Sequence, residues 1–408
     1  MRTAYLTAGI PSHSAALYRE IRFGAPDPAA LIEITERIES PEAKRSFAAA
    51  RPDFDRREST RLLILRDIEN ERAIQNAAVD FVAAPVDFTP NGGLSGDRET
   101  ATAQSTAEAL RRLGAERVIA DRSLPFLFAA MVGAAGLSIE CDPERGVRER
   151  RSKCAEEITA IRESQRVTEK IMETVCRRIA AADTDSDGQL FFEGELLTSE
   201  RVRAMIDHAL LDFGFVNTPS IVAGGKDGGD CHAEGNGPLR TGEPIIVDIF
   251  PMSQKTRYFG DCTRTVVHGT IAPIYQEMLE AVRAAKAAAT ETIRPGVTGE
   301  EVHRATIAAL ERAGFGYAQP GSDEAERFPR LTHGTGHGLG LACHEPPLLD
   351  FGGPELIVGD VVSIEPGLYS KTLGGIRVED MVTVTPDGCE NLGQPLPETL
   401  NWRFTADI

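Results

Sequence analysis

The stretch HGTGHGLGLACHE, residues 333–345, decides how the second half of this chain is read. It holds three of the chain's eight histidines, His333, His337 and His344, spaced by four and then seven. In a helix, residues four apart share a face, as in the zinc motif HExxH. Here Gly334, Gly336, Gly338 and Gly340 are interleaved, and so much glycine excludes an ordinary helix. The pattern predicts a strand or loop whose backbone closely approaches a ligand. GTGHGLG also lacks the GxGxxG spacing that cradles a pyrophosphate.

Four further strings flank this one: VDIF (247–250), GDCTRT (260–265), SIEPGLY (363–369) and GIRVED (375–380). Asp248 is surrounded by Ile245, Ile246, Val247 and Ile249 in what reads as one arm of a β-hairpin, with Asp261 in the return arm. A lone Asp at a strand end is ordinarily a solvated turn residue. One embedded in apolar neighbours needs a cation, a metal or its own proton. Asp261, Thr263 and Thr265 alternate and so share one strand face. Glu365 and Glu379 each lie in an apolar strand, and Arg377 shares a face with Glu379, which allows a buried Arg–Glu ion pair as the alternative. Taken together, Asp248, Asp261, His337, Glu365 and Glu379 form a hard, oxygen-rich set of the kind that holds two divalent cations.

The rest of the composition narrows the function classes. With 44 basic against 62 acidic residues, the net charge of −18 argues against nucleic acid or an anionic membrane as a partner. The 408 residues call for two or three domains. Seven scattered cysteines without CxxC spacing fit a reducing compartment, and a cytoplasmic protein is expected. The start has no continuous apolar core of a signal peptide, and the longest apolar run, residues 126–139, is too short for a membrane span.

Along residues 1–150, strands are expected at 62–65, 80–88 and 117–123 and a helix at 106–115 stopped by Gly114, an α/β alternation predicting a largely parallel sheet. The charged run 142–153 reads as a linker. Residues 151–408 then open with a long amphipathic helix from about Cys154, followed by a helix capped at Thr198 or Ser199. DTDSDGQLFFEGE (183–195) begins like a calcium loop, but its twelfth position is Gly194, so a polar interhelix loop is the better reading. Cys231–His232 and Cys343–His344 are sequence neighbours, which does not make a nucleophile–base pair.

The ordered strings resemble the pita-bread metallopeptidases, and within them the Xaa-Pro-cleaving branch of aminopeptidase P and prolidase. The resemblance runs from about Cys154 to Pro386, with a creatinase-type N-terminal domain suggested by LYREIRFGAPDPAAL and RDIENERA. It implies an α/β (α+β) chain: a creatinase-like N-terminal domain over 1–150 and a pita-bread catalytic domain over 151–408. It makes Asp261, His337 and Glu379 ligands of one metal, Asp248, Asp261 and Glu379 ligands of the other, and Glu365 both ligand and general base. His344 and His333 match histidines that contact substrate or stabilise the tetrahedral intermediate. His232 matches one at the mouth, and Arg377 marks this branch.

The implied reaction is hydrolysis of the bond before proline by a hydroxide shared between two cations, manganese first, with Co, Zn or Fe able to take the site. The implied partners are a proline-containing peptide and a second copy of the chain in a homodimer. Prolidase activity on dipeptides alone, a metal-independent enzyme such as creatinase, and a non-catalytic binding protein are the alternatives. One departure is visible: Asp248 and Asp261 are 13 residues apart, where the family pattern is eleven. Two extra residues preserve strand parity, so both carboxylates still face the same way.

Overall fold

The computed structural model describes residues 2–35, 44–45, 59–319, 322 and 328–403. The chain divides into two compact units, Met1–Arg150 and Arg151–Ile408.

The first unit is built on β1 (Thr3–Gly9), α1 (Ala15–Ile21), β2 (Ala29–Ile34), β3 (Lys44–Arg45), β4 (Thr60–Ile64), α2 (Asn70–Asn76), β5 (Phe81–Ala83), α3 (Arg98–Arg112), β6 (Arg117–Asp121), α4 (Phe126–Ala134) and β7 (Ser138–Asp142). The strands form one sheet in the order β3-β5-β4-β2-β1-β6-β7. It is mixed rather than largely parallel: β1–β6, β6–β7 and β4–β5 are parallel, whereas β1–β2, β2–β4 and β3–β5 are antiparallel. Alternation of strands and helices predicted crossovers, but β1, β2 and β4 are joined so that each reverses on its neighbour. The apolar run at 80–88 yields only the three-residue β5, because Pro85 opens a 3-10 turn with Asp87 accepting from the Ala84 N–H. Gly114 ends α3 as expected, with φ of +70°. The apolar stretch after Pro125 splits into α4 and β7, and no helix among the described residues is long and apolar enough to cross a membrane.

The charged run 142–153 is not a plain linker. It contains α5 (Val147–Arg151), and Arg151 forms a bidentate pair with the fully buried Asp360. The second unit continues with α6 (Ala155–Ala180), β8 (Asp183–Thr184), β9 (Leu190–Phe192), β10 (Glu195–Leu196), α7 (Ser199–Asp212), β11 (Phe215–Val216), β12 (Ile221–Gly224), β13 (Pro244–Ile249), β14 (Met252–Ser253), β15 (Cys262–Val267), α8 (Pro273–Thr292) and α9 (Gly299–Arg312). It ends with β16 (Gly336–Gly338), β17 (Glu345–Leu349), β18 (Val361–Ile364), β19 (Gly367–Ser370), β20 (Gly374–Arg377), β21 (Asp380–Thr385) and β22 (Gly388–Asn391). Residues 183–196 are a three-stranded meander, β8 to β10, not an irregular loop; the Asp185 carboxylate accepts from the N–H groups of Asp187 and Gln189, which is turn chemistry.

Three sheets position the site: β12-β13-β15, β17-β16-β18-β21-β22 and the two-stranded β19-β20. Both β13 and β15 are buried along their whole length, which is why PIIVDI reads as a continuous apolar run rather than an alternating one. Behind them lies a core that includes Ile171 and Val175 of α6, Ile206 of α7, Val247, Val266 and Trp402. Trp402 is 1% exposed, and its indole N–H donates to the Thr265 carbonyl. Trp402→Ala is expected to cost about 3–5 kcal/mol, visible as a lower urea midpoint. A midpoint within error of wild type would show that this tail does not hold β15.

Candidate active site

The hairpin of β13 and β15 is antiparallel, with Asp248 opposite Thr263. Asp261 stands two residues before Thr263 and therefore on the same face, so the 13-residue interval does preserve parity. The extra length is absorbed by β14, which leaves the hairpin to pair with β11, and by Arg257 in the left-handed region at φ of 65°. The Asp261 N–H is held by Gln165 Oε1 of α6 at 2.9 Å.

The histidine-rich stretch is extended, as its glycines require. Gly336 and Gly338 lie in β16, and a Cβ on Gly336 would stand 2.1 Å from the Ser363 carbonyl oxygen of β18. A bulge between His337 and Gly338 against β17 aims the ring inward. His337 Nδ1 donates to the Gly338 carbonyl at 3.1 Å, leaving the Nε2 lone pair for the cavity. That Nε2 is 3.7 Å from Asp261 Oδ2 and 3.4 Å from Glu365 Oε1. One donor atom each from Asp261, His337 and Glu379 lies within 4.8 Å of the other two. Glu365 follows β18, with Oε1 held by Ser363 Oγ at 3.2 Å.

A single buried network ties the carboxylates together. Arg377 donates to Asp248 Oδ2 (2.7 Å), Thr263 Oγ1 (3.1 Å), the Tyr369 hydroxyl (2.9 Å) and the Cys231 carbonyl (3.1 Å). Thr263 in turn donates to Glu379 Oε2 at 2.7 Å. Arg377 therefore pairs with Asp248 and reaches Glu379 only through Thr263, so the direct Arg377–Glu379 ion pair is not formed. His333 Nδ1 donates to the Gly334 carbonyl, which fixes the tautomer, and its Nε2 accepts from Tyr369 at 2.8 Å. Both ring nitrogens are thus engaged within the protein. Burial, and then the charge of Arg377, pushes that imidazole down to about 3, so it is neutral at neutral pH. His344 and His232 are exposed, and the rings of His337 and His344 stand 4.1 Å apart.

The five candidate ligands, Arg377 and the histidines His232, His333 and His344 line one cavity of about 310 Å³, together with the apolar Ile221, Phe250 and Leu348. The donor set suits divalent metal. Burial, and then the charges of Asp248 and Glu365, hold Asp261 well above the usual carboxylate range. Glu379 is raised by burial and by Asp261, and Glu365 rises to about 7, chiefly through burial. Asp248 Oδ1 is buried with no hydrogen-bond partner among the described residues. Carboxylates crowded in this way need cations between them or protons upon them.

A pH dependence follows for the metal-free protein. A carboxyl raised in the fold stabilises it below the unfolded pKa, and that stability is lost as pH rises through the folded value. For Glu365 the window is from about 4.5 to about 7, worth up to roughly 3 kcal/mol. Metal-free protein is expected to melt lower at pH 8 than at pH 5, with a shallower slope in Glu365→Gln. Equal slopes in the two proteins would show that Glu365 is ionised throughout.

Several participants escaped the sequence reading. Tyr369 was legible in SIEPGLY only as an apolar strand residue, although it lies four residues beyond Glu365. Ser363, two before Glu365 on the same strand face, carried a usable alternation signal. Gln165 and the carbonyl of Cys231 carried none, since their contacts depend on how distant segments pack.

The sequence pattern of metallopeptidase family M24 matches residues 159–386. A probable dipeptidase, PepE, of Mycobacterium tuberculosis is 32% identical over 234 residues, which are 57% of this chain and 56% of that protein. The chain spans about half the length of the curated relatives it matches. Among solved structures, the prolidase of Pyrococcus horikoshii aligns with a TM-score of 0.72 over 97% of this chain and 95% of that one, at 19% identity. The X-Pro aminopeptidase of Thermotoga maritima aligns with a TM-score of 0.73 over 97% and 96%, at 21% identity. Both likenesses extend through the mixed-sheet first unit and the pita-bread second unit. The family match covers more than half of the 408 residues and contains all five candidate ligands, and the chain belongs to metallopeptidase family M24.

Proposed function

We propose that the chain is a dinuclear metal-dependent peptidase that cleaves the bond preceding proline, an Xaa-Pro aminopeptidase. One observation carries the reading: four buried or half-buried carboxylates and an imidazole from separate segments line one cavity, with Asp248 Oδ1 buried and unpartnered among the described residues. Asp248, Asp261, His337, Glu365 and Glu379 would hold two cations, manganese first. When bound, these supply Lewis acidity that activates water and polarises the scissile carbonyl.

The remaining chemistry falls to the chain's own groups. Glu365, fixed by Ser363, would take the proton released as water attacks and return it to the proline nitrogen as the C–N bond breaks. Among the described residues His344 has no hydrogen-bond partner on its ring, so an imidazole N–H is free for the developing oxyanion, a contribution of about 3–4 kcal/mol. His333 orients rather than donates: with Tyr369 and Arg377 it forms a chain that ends on the Asp248 carboxylate. His232 stands at the mouth. Proline has no N–H in the bond to be cut, so recognition by shape falls to the apolar lining residues Ile221, Phe250 and Leu348.

Substrates longer than a dipeptide are supported by the charge at the site. Arg377 is the sole Lys or Arg among the described residues lining the cavity, and its guanidinium is already shared among four acceptors. A dipeptide's terminal carboxylate would have to be met by His232 or His344. The second reading, a prolidase confined to dipeptides, is favoured by relatives named dipeptidase and Xaa-Pro dipeptidase. A homodimer and a cytoplasmic location complete the proposal, the latter supported by seven free cysteines.

Metal-stripped protein resupplied with manganese is expected to cleave Ala-Pro-Ala. Cleavage of Ala-Pro alone would make it a prolidase. Hydrolysis of neither peptide, with two metals bound, would move the substrate class elsewhere, and absence of metal binding would overturn the reading.

A further inference from the structure

His344 is, with His232, one of the two exposed histidines of the candidate active site. Its ring is exposed, touches the His337 ring, and has no hydrogen-bond partner among the described residues. What it can reach therefore depends on where its backbone is held. That backbone closes the short loop between Gly338 and Glu345, which are paired across β16 and β17. A Cβ on Gly338 would stand 2.5 Å from the Glu345 carbonyl oxygen, so the two ends of the loop are in direct contact.

Behind this loop lies a buried ion pair outside the cavity lining. Lys153 Nζ is 3.0 Å from Glu345 Oε1, and each side chain is 2% exposed. The pair sits against the loop's middle: a Cβ on Gly340 would stand 2.7 Å from Glu345 Oε1 and 2.9 Å from Lys153 Cε. Lys153 is itself fixed, its N–H donating to the Gly359 carbonyl at 3.3 Å. A Cβ on Gly359, which has φ of +91°, would meet the Lys153 nitrogen at 2.8 Å. The loop is held at its other side by the Phe259 N–H, which donates to the Gly340 carbonyl at 2.9 Å. A buried pair adds little net stability over apolar side chains of the same size, because desolvation offsets its attraction.

We propose that Lys153 is a positioning residue of the active site: its buried ion pair with Glu345 fixes the Gly338–Glu345 loop and so aims His344 into the cavity. The inference rests on the role given to His344 above. Lys153 touches neither substrate nor metal.

The test is a double-mutant cycle on the full-length, metal-loaded enzyme with Ala-Pro-Ala, together with spectroscopy on the metal-free protein. Lys153→Met alone removes the cation from a buried carboxylate and can fail to fold. The neutral pair Lys153→Met/Glu345→Gln avoids this and is the working variant. Its kcat is expected to fall about 10- to 100-fold, the range for groups that orient others, with KM and metal content little changed. Added to His344→Ala, it is expected to produce no further loss. In metal-free protein labelled with ¹⁵N-histidine, the His344 ring resonances are expected to shift or broaden while those of His333 stay in place.

Wild-type kcat in the neutral pair, losses that multiply with His344→Ala, or loss of bound metal would each overturn the role of Lys153 and leave the peptidase reading intact. Full activity in His344→Ala would remove the role of His344 and this inference with it. If neither Ala-Pro nor Ala-Pro-Ala is cleaved by wild type, the proposed substrate class fails, and unchanged His344 resonances in the neutral pair would then sink the positioning role on their own.

Discussion

Asp261→Ala is expected to remove metal-dependent hydrolysis, lowering kcat/KM by at least ~10³, which corresponds to about 4 kcal/mol of lost stabilisation. The residue is 4% exposed and central to the donor cluster, 3.7 Å from His337 Nε2. Its side chain accepts a long, weak contact from the Cys343 thiol at 3.8 Å, while the hydrogen bond to Gln165 is made by its backbone N–H. Deleting one carboxylate from a crowded group relieves repulsion with Asp248 and Glu365, the charges that raise it. The metal-free variant should therefore melt no lower than metal-free wild type. The rise in melting temperature that wild type gains with added manganese should be absent, because that rise reports binding to the folded state. Equilibrium dialysis, calorimetry and peptide hydrolysis would measure the three quantities. Retention of full metal-dependent activity would sink the ligand role, and collapse of the metal-free variant would make Asp261 a structural residue instead.

Arg377→Lys is expected to damage stability and rate together, although it preserves the charge. Arg377 is 2% exposed and serves four acceptors that lie around it: Asp248, Thr263, Tyr369 and the Cys231 carbonyl. A planar guanidinium presents donors in several directions, whereas an ammonium concentrates three at one point. Lysine can keep Asp248 or the Tyr369–Cys231 side, not both. The stranded partners are buried, so a loss of about 3 kcal/mol or more in stability is expected. A drop of ~10- to 100-fold in kcat/KM should accompany it, as Asp248, Glu379 through Thr263, and His333 through Tyr369 lose their alignment. Near-native melting and kinetics in Arg377→Lys would reduce the arginine to a neutralising charge. Loss of stability without loss of rate would separate the network from catalysis.

The candidate site was legible in the sequence because four of the five ligand-type residues, Asp248, His337, Glu365 and Glu379, interrupt an apolar or glycine-rich string, while Asp261 was marked by its alternation with Thr263 and Thr265. An aspartate among isoleucines in VDIF, or a glutamate in SIEPG, is a local contradiction that only a cation or a proton resolves. Parity across the hairpin was also readable, since a period of two survives an insertion of two; the register itself, with Asp248 opposite Thr263, was set by the fold. The glycines at 334, 336, 338 and 340 excluded a helix without reference to any neighbour. The errors arose where tertiary partners decide. The mixed pairing of the first sheet depends on which edge each strand joins, and local propensity carries no information about edge choice. The charged run 142–153 looked solvated because its residues are charged, yet Arg151 and Lys153 meet buried Asp360 and Glu345 roughly two hundred positions away in sequence.

The sequence by itself therefore determined the extended character of the site-bearing segments, the residue types they bring, and the face each presents, since these follow from short-range sterics and alternation. Tertiary structure alone decided which carboxylate Arg377 pairs with, that both nitrogens of His333 are engaged, and that a lysine before α6 lies behind His344. The physical reason is the same in each case. A hydrogen bond or buried ion pair is specified by the positions of two groups to within about an ångström, and for groups far apart along the chain only the packed core supplies that precision.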